Sequence, residues 1–199
     1  MRNTFLVTVC TVIATALMAL GVSTATARNI DVSNQTFRVT FSDIEFAAGE
    51  IRNDCHVTLE GSLHSRTMPK VEGTLIGYIT RVTTAQCSLG TTILTETLPW
   101  HVRYVAFSGT LPEITLFIIK VRENFRVITC LAAGDVTARL IRNTTTREVT
   151  GDEVPLERNS ALPLTGVLCP APRIGSLRSN GNGSVMVLGA TTRITVTLI

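Results

Sequence analysis

The sequence has few of the residues on which common binding sites depend. Aromatic residues make up 5% of the 199-residue chain, with one tryptophan, and there are three histidines. Lys70 and Lys120 are the only lysines, and the formal net charge is +3. Because this small charge is carried by arginines scattered singly along the chain, the sequence excludes the concentrated basic surface that is typical of nucleic-acid-binding proteins.

Local catalytic motifs are also missing. The chain has neither a G-x-S-x-G elbow nor an H-E-x-x-H pair. The glycines of SNGNGS, residues 179–184, lack the spacing of a phosphate or dinucleotide loop. These absences weaken the case for an enzyme without excluding one, since a triad assembled from distant residues leaves no local pattern. No cofactor is expected.

The N-terminal residues have the order of a secretory signal peptide. Arg2 precedes an apolar run from Phe5 to about Val22, and small residues end in the A-x-A site 25–27. The pattern predicts a signal peptide over 1–27 and a single exported domain over 28–199, with a formal charge of +2 after Arg2 is removed. An uncleaved anchor is the alternative, because the run approaches the ~20 residues that span a bilayer.

Four cysteines follow the predicted signal peptide, and none belongs to a C-x-x-C pair. An even number in an exported chain predicts two disulfides, whereas zinc binding lacks the usual ligand spacing. An antiparallel hairpin of 55–65 with 71–83 would place Cys55 opposite about residue 82, close to Cys87. We therefore expect Cys55 to pair with Cys87 and Cys130 with Cys169, each bridge contributing roughly 3–4 kcal/mol.

Alternation of apolar and polar residues dominates the mature sequence, and no long stretch has helical periodicity. A change of phase near residues 42–43 predicts a bulge, and the doubly apolar segment 113–121 predicts a central strand. The stretch 152–178 holds four prolines and is expected to be a loop fastened by Cys169. About nine or ten short strands indicate an antiparallel sandwich or barrel, and we predict an all-β antiparallel β-sandwich with two disulfides.

The stretch LPWHVRYVAF, residues 98–107, holds the only tryptophan. Period-two alternation puts Trp100, Val102 and Tyr104 on one face, which we expect to be core, and His101 and Arg103 on the other. The alternative is a carbohydrate-binding site formed by Trp100, His101, Arg103 and Tyr104, because exposed rings stack on sugars.

Two other groups of residues suggest sites. His56, Glu60 and His64 share a strand face, but residues four apart in a strand lie ~13 Å apart, so no metal site is expected. Acidic residues form two loose groups, Asp43, Glu45, Glu50 and Asp54, then Asp152, Glu153 and Glu157. Paired carboxylates ~5–9.5 Å apart catalyse glycoside hydrolysis, although solvated loops are the simpler interpretation.

Several stretches resemble a group of uncharacterised exported proteins from actinobacteria. They are CHVTLEGSLHSRT, GTLIGYITRVT, TLPWHVRYVAFSGTLPEI, a PLTG shortly before a cysteine, and the ending TTRITVTLI. The resemblance implies export and a shared β fold, and it carries no activity and no functional residues.

The sequence thus predicts a secreted or extracytoplasmic protein. The first hypothesis is a non-catalytic binding or structural module at the cell envelope or outside the cell. Its expected partner is a polysaccharide or protein there, with neither nucleic acid nor a membrane span after signal cleavage. The second hypothesis is a secreted hydrolase acting on an extracellular polymer such as a polysaccharide. Two facing carboxylates in a cleft would favour the hydrolase, and exposed rings on a flat face would favour binding.

Overall fold

The computed structural model describes residues 29–88, 92–105, 113–125, 130–141, 149–150, 159–171, 173–179 and 183–199. These residues form fourteen β-strands and no α-helix. The strands are β1 Asn29–Val32, β2 Thr36–Ala48, β3 Ile51–Leu63, β4 Thr67–Pro69, β5 Leu75–Ala85, β6 Thr92–Ile93, β7 Trp100–Tyr104, β8 Glu113–Phe125, β9 Cys130–Ile141, β10 Val149–Thr150, β11 Asn159–Thr165, β12 Ile174–Ser179, β13 Ser184–Val187 and β14 Thr195–Leu198. The predicted signal peptide and the acidic residues Asp152, Glu153 and Glu157 lie outside the described residues.

The strands form two antiparallel sheets, of ten and four strands. In the larger sheet, eight strands follow the order β2-β3-β5-β7-β8-β9-β11-β12, and β12 pairs again with β2. The sheet therefore closes on itself as a ring in which each of these strands is paired on both sides. The all-β antiparallel class, with two sheets and two disulfides, is confirmed.

The smaller sheet, in the order β10-β14-β1-β4, lies at one end of the ring. Each strand of the smaller sheet follows or precedes, in the chain, a ring strand or β13. For example, β1 precedes β2, and β4 follows β3. At the opposite end lie the β2–β3 turn, the last residues of β8, the first residues of β9 and the β11–β12 loop. We call the first the capped end and the second the open end.

Alternation along the strands sends one set of side chains into a single core. On β2, Phe37, Val39 and Phe41 are buried, and after a register shift between Phe41 and Ile44 the buried set continues with Phe46. The predicted bulge at 42–43 is confirmed, and it keeps both halves of the long strand facing the core. Segment 113–121 belongs to β8, which pairs with β7 and β9 on its two sides.

Both predicted disulfides are present, joining Cys55 to Cys87 and Cys130 to Cys169. The predicted register of the β3–β5 hairpin was wrong, however. Val57 pairs with Thr84, so the position on β5 opposite Cys55 lies beyond Thr84 and not at residue 82. The connection between the two strands contains β4, which pairs with β1 of the other sheet. The turn before β5 lies at 70–74, later in the chain than the predicted hairpin assumed. Each residue of β3 therefore pairs with a later residue of β5 than predicted.

The expectation of a loop over 152–178 was also wrong, because β11 lies within this stretch and β12 begins there. Leu162, Leu164 and Leu177 are buried and alternate with exposed or half-buried neighbours. Pro163 occupies a strand position opposite Ile174. The apolar pattern covers only a few residues between prolines and glycines, which is too short for alternation to predict a strand.

Candidate functional site

The tryptophan strand β7 divides the four residues that were predicted to bind a ligand. Its burial alternates as predicted, with Trp100 3% exposed and Tyr104 5% exposed. The indole Nε1–H of Trp100 donates to Thr97 Oγ1 at 2.9 Å. Burial raises the pKa of the Tyr104 phenol. These two aromatic side chains are therefore part of the core, and their predicted contact with a ligand stays a prediction.

His101 and Arg103 lie on the outer side of β7 and are half-buried. The His101 ring packs edge-on against Tyr78, with 5.2 Å between ring centroids, and Tyr78 in turn packs against His64 at 4.9 Å. Tyr78 is half-buried and His64 is exposed. We call His64, Tyr78 and His101 the aromatic row.

The aromatic row results from strand register. Tyr78 on β5 pairs directly with His101 on β7 and with Ser62 on β3, and His64 follows the end of β3 two residues beyond Ser62. Directly opposite residues such as Tyr78 and His101 have Cβ atoms ~4.5–5.5 Å apart, which brings their rings into contact. The sequence analysis identified His101 but missed Tyr78. Residues 78 and 101 become neighbours only through the pairing register of β5 with β7, which cannot be read from the sequence.

Three arginines lie on the same outer face as the aromatic row. Arg38 on β2 and Arg81 on β5 both bind the Glu60 carboxylate, at 2.8 and 3.4 Å. Arg103 donates from Nη1 to the backbone oxygen of Gly73 at 3.0 Å. On this outer face of β2, β3, β5 and β7 near the capped end, three arginines thus accompany one glutamate. The face is cationic.

A second cluster lies near the open end, where β12 closes the ring against β2. Glu45 is 6% exposed, and its carboxylate accepts hydrogen bonds from Arg52 at 2.9 Å and from Arg178 at 2.8 Å. The bond from Arg178 is the largest influence on the pKa of Glu45, which lies below its ordinary value although burial acts in the opposite direction. Glu45 therefore fastens β12 and β3 to β2.

Two further carboxyl groups adjoin Glu45. Burial, the negative charges of Asp43 and Glu45, and a hydrogen bond with Asp43 raise the pKa of Asp54. Asp43 and Asp54 thus adjoin a carboxylate that two arginines already hold in ion pairs. The arrangement matches a structural network better than the predicted hydrolase chemistry.

His56, Glu60 and His64, the residues considered above as a possible metal site, are all described in the structure. Glu60 is held by arginines, His64 packs on Tyr78, and His56 is exposed further along β3. Across the described part of the chain, no cluster of three His, Cys, Asp or Glu side chains has metal-binding geometry. The same residues contain no helix of sufficient length and hydropathy to cross a bilayer.

A third feature lies at the open end, in the β11–β12 hairpin. Val167 is 90% exposed, Leu168 64% and Ile174 51%. Cys169, which directly follows Leu168, forms a disulfide with Cys130 at the start of β9. We call Val167, Leu168 and Ile174 the apolar tip. The signal for it in the sequence is the pair Val167-Leu168 directly before a disulfide cysteine, although alternation does not reveal that both point outward.

Comparison with known proteins identifies a family. The model of the family described as Alkane oxidation protein activator PraA/PraB-like matches residues 1–176, so the chain belongs to this family. Neither the curated proteins nor the solved structures include a significant match.

Proposed function

We propose that this PraA/PraB-like chain is an exported, non-catalytic accessory protein of alkane oxidation, and that its apolar tip contacts the alkane phase. The family description names an activator of alkane oxidation. The observation that carries the proposal is the exposure of Val167, Leu168 and Ile174 on one disulfide-anchored hairpin.

An alkane offers no hydrogen-bonding group, so a protein recognises it only by removing apolar surface from water. Fully burying a side chain of this size contributes about 1.5–3 kcal/mol. The Cys130–Cys169 bond and the buried Leu162 and Leu164 hold the tip on a rigid hairpin. Little conformational entropy is then lost when the tip meets a hydrocarbon surface.

Export fits the same role. The two disulfides are compatible with an oxidising compartment outside the cytoplasm. The signal peptide at 1–27 and the single domain at 28–199 are part of the proposal. The stretches that resemble exported actinobacterial proteins agree with it, and that resemblance stays a prediction.

The test measures partition of the oxidised full-length protein, expressed with its own leader, onto n-alkane droplets in buffer. The variant Val167→Ser/Leu168→Ser should bind at least ~10-fold more weakly, because two exposed apolar side chains are lost without any change in the core. Val71→Ser is the matched control, since Val71 is 59% exposed in the turn at the capped end.

Unchanged partition of the double variant would refute the role of the tip, and so would an equal loss in Val71→Ser. The same three proteins should be added to alkane-oxidising cells that lack the endogenous protein. The wild type and Val71→Ser should restore the alkane oxidation rate, and the double variant should not.

A further inference from the structure

The aromatic row and its arginines form a surface that the proposed alkane contact does not use. The row lies on the outer face near the capped end, whereas the apolar tip lies at the open end. Elsewhere on this face, small polar residues such as Thr40, Thr58 and Thr83 point outward. The rings at 64, 78 and 101 depart from this pattern.

We propose that this face binds an acidic polysaccharide, with sugar rings packing on Tyr78 and His101 and a carboxylate bound by Arg103. The inference goes beyond the proposed alkane contact. Aromatic rings offer an apolar surface to the C–H face of a sugar, and imidazole nitrogens exchange hydrogen bonds with its hydroxyl groups. Tyr78 and His101 lie on two paired strands and His64 directly follows a third, so the row extends across the sheet and favours an extended polymer.

Charge selects the acidic class of polymer. A guanidinium group has five N–H donors, and Arg103 directs Nη1 to Gly73 while its side chain remains half-exposed. Arg38 and Arg81 together outweigh Glu60, so the field around the row is positive. The adjoining turn adds Lys70 and Glu72, whose formal charges cancel. Guanidinium groups pair well with planar carboxylates, which uronic acid units supply.

The experiment measures binding of the oxidised full-length protein to polygalacturonate and, separately, to neutral dextran. The wild type should bind polygalacturonate, should bind dextran much more weakly, and should lose affinity as salt is added. Arg103→Gln should weaken binding by about tenfold, the size expected for one charge-assisted hydrogen bond. His101→Ala should give a loss of similar size.

Tyr78 needs two variants, because its removal also affects sheet packing. Tyr78→Ala should abolish most binding, whereas Tyr78→Phe keeps the ring and should retain it. His56→Ala is the control on the same face, since His56 is exposed and pairs with Ala85 away from the row. Its affinity should stay within about twofold of the wild type.

Three results would overturn the proposal: no binding of the wild type to polygalacturonate, equal binding to dextran, or an equal loss in His56→Ala. The probes contain no alkane, so none of these results depends on the apolar tip. Conversely, Arg103→Gln should partition onto alkane droplets as the wild type does.

Discussion

The Cys130–Cys169 bond gives a prediction in which stability and function separate. Each disulfide closes a loop of similar length, with sequence separations of 39 for Cys130–Cys169 and 32 for Cys55–Cys87. In the chain-entropy model, these lengths correspond to about 3.9 and 3.7 kcal/mol of stabilisation. Replacing either pair should therefore lower the free energy of unfolding by nearly the same amount.

Alanine is the appropriate replacement, because Cys55 and Cys130 are 1% and 0% exposed and a serine hydroxyl would be buried there. Equilibrium unfolding in urea at neutral pH should give losses for the two double variants that agree within about 1 kcal/mol. Measurements on protein that remains folded in buffer keep the comparison valid.

Their effects on alkane droplets should differ. Only Cys130→Ala/Cys169→Ala frees the segment that carries Val167 and Leu168, so only this variant should partition more weakly while still folded. Cys55→Ala/Cys87→Ala loses a similar amount of stability but leaves the β11–β12 hairpin tethered. Equal partition of the two folded variants would refute the idea that the tip works as a pre-ordered surface.

Three further predictions concern the core and the ring closure. Trp100 should emit at blue-shifted wavelengths and resist acrylamide quenching, because it is 3% exposed; a solvent-like spectrum would contradict its burial. Gly61→Ala should lower stability by about 2 kcal/mol or more in urea unfolding, since the new methyl group would clash with the backbone oxygen of Tyr78; a neutral result would show that the strands separate easily there. Glu45→Gln should destabilise the protein at neutral pH. The pKa of Glu45 in the folded protein lies below its ordinary value of 4.5, so the stabilisation by the ionised carboxylate is present above that pH and is lost as the pH falls through the folded pKa. The urea midpoints of the variant and the wild type should therefore converge in acid.

The sequence allowed the strands with long, clean alternation to be predicted. Phe37, Val39 and Phe41 on β2, and Val57 and Leu59 on β3, alternate over enough residues that only one face can be the core. The disulfide pairing was also accessible, because a local hairpin brings two cysteines together and leaves only one other pair. Both inferences depend on short-range geometry, which a periodic pattern specifies.

The closure of the ring and the aromatic row depend on register between strands that are distant in sequence. Arg178 and Glu45 meet across 133 residues, and nothing in the local pattern around either residue indicates the other. Tyr78 joins His64 and His101 only after a shift of register at Glu60 and Gly61. Alternation identifies the face of a residue but not its neighbours on that face, so the candidate site was only half predicted.

Ring closure also decides how this protein can recognise a partner. Each of the eight ring strands has a paired neighbour on both sides, so a doubly paired stretch, such as 44–48 of β2 between β3 and β12, offers no edge to an added strand. At such stretches a partner is recognised by side chains, on the outer face of the ring or in the loops at its ends. The aromatic row and the apolar tip are two groups of described side chains that depart from an ordinary polar surface. Because these places lie at opposite ends of the ring, the proposed polymer contact and the proposed alkane contact use separate surfaces and can be tested independently of each other.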